Sequence, residues 1–189
     1  MVGHYHGQRW NSAEIGASLG ISDVTARRYL DILAGSYMVR VLPPWYENLA
    51  KRQRRSPKVY FRDTGLLHSL LGIVRADQIW SHPKCGASWE GFAMEQILRF
   101  LPGQDTYFWA IHGGPELDLL IFRRGKRIGF EFKFSDAPAK NRSMEAAMRD
   151  LALDHLWVVY PGERRYPLGE RVEALPLISC RQTLIPPVS

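Results

Sequence analysis

Apolar positions along the chain follow first a helical and then a strand period. Ile15, Leu19 and Ile21 gather on one side of a first segment, and Ala26, Tyr29, Leu30 and Leu33 form the inner stripe of a second. Helices are therefore expected over 12–19 and 23–33, with Gly20 as the C-cap of the first and Ser22 as the N-cap of the second. Short apolar runs at 39–42 and 58–61 predict two strands of a small wing. Pro43-Pro44 stops the first, and Asp63 or Thr64 caps a short helix that ends at Leu71. Residues 75–84 are mixed and carry no clear period, which divides the chain into residues 1–80 and 81–189.

The second part opens with a helix expected over 88–101. Strands follow at 106–111, 117–122 and 126–134, separated by the Gly-rich turns His112-Gly113-Gly114-Pro115 and Arg123-Arg124-Gly125. Met144, Ala147, Met148 and Leu151 form one stripe of a helix over 143–151. An apolar strand at 156–160 and an edge strand at 172–177 complete the pattern. The order α-β-β-β-α-β predicts a layered α/β (α+β) domain.

Composition narrows the classes of function. With 189 residues, 46% hydrophobic and 23% charged, the chain has ordinary globular content. Its formal charge is +6, and the excess sits in residues 1–60, where nine Lys/Arg face four Asp/Glu. An anionic partner, DNA above all, is expected there. Arg27 and Arg28 on the second helix are candidate phosphate contacts, as are Arg54 and Arg55 in the basic run 51–58, a run that also reads as a plain solvated loop. No apolar run approaches the roughly 18 residues of a membrane span, and the first twenty residues lack a signal-peptide core. Cys85 and Cys180 are too few for a disulfide framework, so a reducing, cytoplasmic location is expected. Gly125-Lys126 lacks the upstream Gly and the following Ser/Thr of a phosphate-binding loop, so the chain is not expected to hydrolyse ATP by itself.

The chemistry concentrates in Glu116-Leu117-Asp118-Leu119 and Glu131-Phe132-Lys133-Phe134. Asp118 interrupts an apolar strand, where an uncompensated charge is costly. If the strands form a hairpin, Asp118 and Glu131 converge, and two carboxylates so placed suit Mg²⁺ or Mn²⁺. A structural salt bridge between the strands is the competing reading. On the preceding helix, Glu90, Met94, Ile97 and Leu101 project from one inward side, whereas Glu95 projects opposite and is expected in solvent.

Asp118, a twelve-residue gap and Glu131-Phe132-Lys133 resemble the PD-(D/E)XK nuclease signature, with Glu90 similar to the acid of that superfamily's first helix. The resemblance implies a metal site made by Asp118, Glu131 and the carbonyl of Phe132, with Lys133 and Glu90 as catalytic residues. A wider likeness rests on Asn11-Ser12-Ala13-Glu14-Ile15, Thr25-Ala26-Arg27-Arg28-Tyr29-Leu30, Leu42-Pro43-Pro44-Trp45, Lys58-Val59-Tyr60-Phe61-Arg62-Asp63-Thr64-Gly65-Leu66 and Gly86-Ala87-Ser88-Trp89-Glu90-Gly91-Phe92. Together these resemble the C-terminal domain of unknown function of prokaryotic AAA-type ATPases. That family implies a winged helix-turn-helix followed by a restriction-endonuclease-like αβββαβ domain. An ATPase module precedes it there; Met1 falls just inside the winged-helix part, so the module is expected to be absent here. The implied function is a divalent-metal-dependent nuclease or nuclease-derived nucleic-acid-binding domain. The alternative is a non-catalytic DNA- or protein-binding module that docks on an ATPase partner.

Overall fold

The computed structural model describes residues 2–47 and 56–185. Side-chain caps start the first helices. Asn11 accepts a hydrogen bond from the Glu14 N–H at 3.3 Å to open α1 (Ser12–Leu19), and Ser22 accepts from Thr25 N–H at 3.1 Å to open α2 (Asp23–Gly35). Gly20 ends α1 at a φ of 66°, which only Gly adopts without strain. These helices pack on a three-stranded sheet of β1 (Gln8–Arg9), β2 (Val39–Leu42) and β3 (Lys58–Phe61), with β3 central and antiparallel to both neighbours. Trp10, Ile15, Ala26, Leu30, Val39, Val59 and Phe61 fill the core between them. Tyr29, expected on the inner stripe, is instead 54% exposed. It lies about 100° around the helix from Leu30, at the stripe's edge, where the narrow sheet no longer reaches.

Two short helices, α3 (Thr64–Leu70) and α4 (Ala76–Trp80), lead to α5 (Cys85–Phe100). A six-stranded mixed sheet follows: β4 (Asp105–Ala110), β5 (Glu116–Arg123), β6 (Lys126–Phe132), β7 (His155–Tyr160), β8 (Tyr166–Gly169) and β9 (Val172–Pro176). Its order is β4-β5-β6-β7-β9-β8. The first three strands form an antiparallel meander, and α6 (Arg142–Asp150) carries the chain across to β7, parallel to β6.

Helices cover both faces of this sheet. Met94, Ile97 and Leu98 of α5, with Leu184 of α7 (Cys180–Leu184), pack on Leu119, Ile121, Phe130, Phe132 and Val159. Met144 and Ala147 of α6 pack on Leu117, Leu120, Leu156 and Val158. Each fully buried side chain of this size contributes roughly 1.5–3 kcal/mol. The result is a mixed α/β protein built on two sheets, and no described helix is long and apolar enough to cross a membrane.

One prediction about α5 fails. Glu95 is buried, held bidentately by Arg40 with its Nη2 at 2.9 Å, and by Arg62 at 3.3 Å. The helix has two covered sides, one on the six-stranded sheet and one on the strand ends of the first unit, so the side that carries Glu95, about 100° round from Met94, is an interface rather than a solvated face.

Candidate functional site

The register of β4 and β5 slips between Tyr107↔Leu120 and Trp109↔Leu117, so that Asp118 and Leu119 together oppose the single residue Phe108. This β-bulge re-aims the strand. Leu119 and Ile121 enter the core under α5, while Leu117 and Leu120 enter the core under α6. Asp118, 9% exposed, accepts a hydrogen bond from the Phe132 backbone N–H at 3.0 Å, which ties it to β6 between Glu131 and Lys133.

Phe130 and Phe132 face the α5 core, so Glu131 between them projects to the other side by strand alternation. Its carboxyl is 3% exposed and pairs through Oε2 with Lys133 Nζ at 2.7 Å. Its Oε1 is buried without a hydrogen-bond partner. An orphaned carboxylate oxygen in such a place lacks a donor or a cation.

From the other side, α5 supplies Glu90 and β3 supplies Tyr60 and Lys58. The Tyr60 hydroxyl donates to Glu90 Oε1; the Lys58 ammonium lies 3.8 Å from the same oxygen and pairs with Glu116. Glu116 is fixed at the start of β5 by Ser143 of α6, which accepts from its N–H at 2.8 Å and donates to its carbonyl at 2.9 Å.

Burial and then the Asp118 charge push Glu131 up to about 8 and Glu90 up to about 7, against the pull of Lys133 on the first and of Lys58 and Tyr60 on the second. Burial alone would lower both lysines. Glu90, Asp118 and Glu116 nevertheless hold Lys58 above its ordinary value, and Glu131, Asp118 and Glu90 do the same for Lys133. Four carboxylates thus share two ammonium groups, and full ionisation leaves two negative charges uncompensated. That deficit equals the charge of one Mg²⁺ or Mn²⁺, and hard oxygen donors suit either ion. Among the described residues no three His, Cys, Asp or Glu side chains gather as a metal cage. Asp118 and Glu131 are the two carboxylates here that the nuclease-like pattern would use for such an ion.

Of the residues singled out from sequence, Glu90, Asp118, Glu131, Phe132 and Lys133 share this neighbourhood. Arg27 and Arg28 do not; they are exposed on α2. Arg54 and Arg55 lie outside the described residues. Sequence reasoning missed Lys58 and Tyr60, and it gave Glu116 no role within the stretch it singled out. Lys58 closes the basic run and was grouped with it, yet it is 5% exposed. The available signal was Val59-Tyr60-Phe61 directly after it, which marks a strand buried from its first residue.

Residues 85–180 match a domain of unknown function, DUF4143, and residues 1–77 match a second, DUF8612. The uncharacterized proteins Rv2008c of Mycobacterium tuberculosis and Mb2031c of Mycobacterium bovis are each 49% identical over 176 residues. That stretch covers 93% of this chain but 40% of each relative's own length. No solved structure matches the chain.

Proposed function

This chain belongs to the DUF4143 domain family, and from the acid cluster built into that domain we propose that it is a divalent-metal-dependent nuclease acting on DNA phosphodiesters. The observation that carries this reading is Glu131: buried, raised first by that burial and then by the Asp118 charge, and holding an oxygen without a partner. Structural carboxylates are ordinarily satisfied, whereas carboxylates awaiting a cation are not. Asp118, Glu131 and the Phe132 carbonyl would hold Mg²⁺ or Mn²⁺, which supplies Lewis acidity toward a phosphate. Lys133 stays protonated at neutral pH and is half-buried beside them, so its ammonium can meet the charge that develops on phosphate oxygens. Glu90, with a carboxyl that titrates near neutrality, closes the other side of the cluster.

The element order α5-β4-β5-β6-α6-β7 supports a restriction-endonuclease-like core. Two capped helices followed by the β2–β3 hairpin support a winged helix-turn-helix before it. The relatives run well beyond the matched stretch, which leaves room in them for a further module such as an ATPase.

Purified protein incubated with supercoiled DNA in Mn²⁺ is expected to nick it. Lys133→Ala should abolish nicking while leaving Mn²⁺ binding by calorimetry nearly intact, since an ammonium is not a ligand; Asp118→Asn should lose both. Equal trace nicking by wild type and Lys133→Ala overturns the assignment.

One observation favours a non-catalytic docking module instead. Val24, Tyr29 and Ile32 on α2 are 57%, 54% and 63% exposed. A helix that only met phosphates would not need such apolar surface.

A further inference from the structure

Trp89 and Phe134 are the sequence neighbours of Glu90 and Lys133, and they open onto a different space. A cavity of about 260 Å³ lies between α4, the first turns of α5 and the chain just beyond β6. Its walls are Trp80, Trp89, Phe92 and Phe134, with His68 and Ser88 hydrogen-bonded at 2.7 Å on the polar side. Trp80 and Phe134 stack with centroids 5.6 Å apart and planes 20° apart, and Trp89 lies 5.8 Å from Phe134. Trp80, Phe92 and Phe134 are 65%, 41% and 42% exposed, so three large rings meet water at one place. The indole Nε1 of Trp89 is buried with no acceptor.

We propose that this cavity takes a nucleobase from a single nucleic-acid strand whose backbone passes Lys133. The proposal rests on the nuclease reading for that backbone path. Flat aromatic walls with a few polar groups suit a planar ligand, and base–aromatic stacking is the usual way that proteins hold unpaired strands. Consecutive Cα atoms lie 3.8 Å apart, so Lys133 and Phe134 place a phosphate contact and a base contact within one nucleotide of each other. A duplex could fill the cavity only by flipping a base out.

The test uses the full chain in EDTA, with a labelled single-stranded oligonucleotide followed by anisotropy. An abasic strand of equal length should bind roughly tenfold more weakly, and duplex of the same sequence should also bind more weakly. Trp80→Ala should lose about tenfold for the ordinary strand and nothing for the abasic one, while Trp80→Phe keeps the ring and the affinity. Trp80 is mostly exposed on a five-residue helix, so the fold should survive both changes. Base-dependent binding without nicking in Mn²⁺ retains the cavity and removes the nuclease. Nicking with equal affinity for ordinary and abasic strands does the reverse. Saturable uptake of N-acetyl-tryptophanamide with no response to nucleosides would assign the cavity to a protein partner and overturn the proposal.

Discussion

His6 carries a hydrogen bond on each ring nitrogen. Its Nε2–H donates to the Ala87 carbonyl at 2.9 Å, and its Nδ1 accepts from the Phe61 N–H at 2.9 Å. Protonation would set a second N–H against that of Phe61. Burial, above all, then the charges of Lys84 and His68, lowers the imidazole to about 4 despite the favourable Ala87 carbonyl. The folded value lies below the unfolded one, so the unfolded chain binds the extra proton in between. The contribution is complete above about pH 6.5 and is lost as pH falls toward 4, a difference on the order of 3 kcal/mol. Urea melts across that interval should show stability rising more with pH, or falling less, in wild type than in His6→Gln, against the opposite trend set by Glu90 and Glu131 in both; identical slopes would refute the assignment. The sequence offered no hint of this residue, and the buried-strand pattern at 58–61 did not by itself place Lys58 and Tyr60 in the acid cluster. Their partners Ala87, Glu90 and Glu116 are distant in the chain. Asp118, Glu131 and Lys133 were legible because a charge inside an apolar strand is conspicuous locally.

Among the elements, α5 does the most, since it roofs one face of the large sheet while its other side meets β2 and β3. Gly91 makes the second contact possible. A Cβ there would lie 2.6 Å from His6 Nε2 and 3.4 Å from the Tyr60 ring. In an isolated helix Gly91→Ala would gain about 1 kcal/mol of propensity. Here a net loss of about 1–3 kcal/mol is expected from the displaced, fully buried imidazole. Thermal denaturation of the variant reads the sign directly, and a raised midpoint would contradict the packing described. The helix itself was legible from its apolar spacing. Its second buried face was not, because a wheel with one assumed core assigns every opposite residue to water, as happened with Glu95. The elements α4, α7, β1 and β8 also went unforeseen; each spans five residues or fewer, too short to establish a period.

For the whole molecule, the question is whether the two matched regions, 1–77 and 85–180, unfold together. Arg40 and Arg62 from the first converge on the buried Glu95 of the second, and His6, Lys58 and Tyr60 cross the same boundary. One cooperative transition is therefore expected by calorimetry. Glu95→Gln leaves two arginines without their counter-charge, so a loss of about 2–3 kcal/mol is expected, and the transition should broaden or split. An unchanged single peak would mean that the clamp contributes nothing to coupling. The layered α/β plan was readable from period and turns, but the contacts joining the earlier and later parts of the chain were not, since each pairs residues far apart in sequence.

The extra residue in β5 makes the strand change parity partway along. Leu119 and Ile121 face α5, yet the odd-numbered Leu117 faces α6. The strand thereby admits an acid among leucines without turning any leucine toward water. It follows that the site is kept by the count of residues more than by their identity. Swapping one aliphatic for another at 117 or 119 leaves the phase alone, whereas an insertion or deletion of a single residue between 116 and 120 would move Asp118 across the sheet. Relatives aligned on hydrophobic alternation alone would have this acid one place out, and the misalignment would look like divergence in chemistry when it is only a slip in counting.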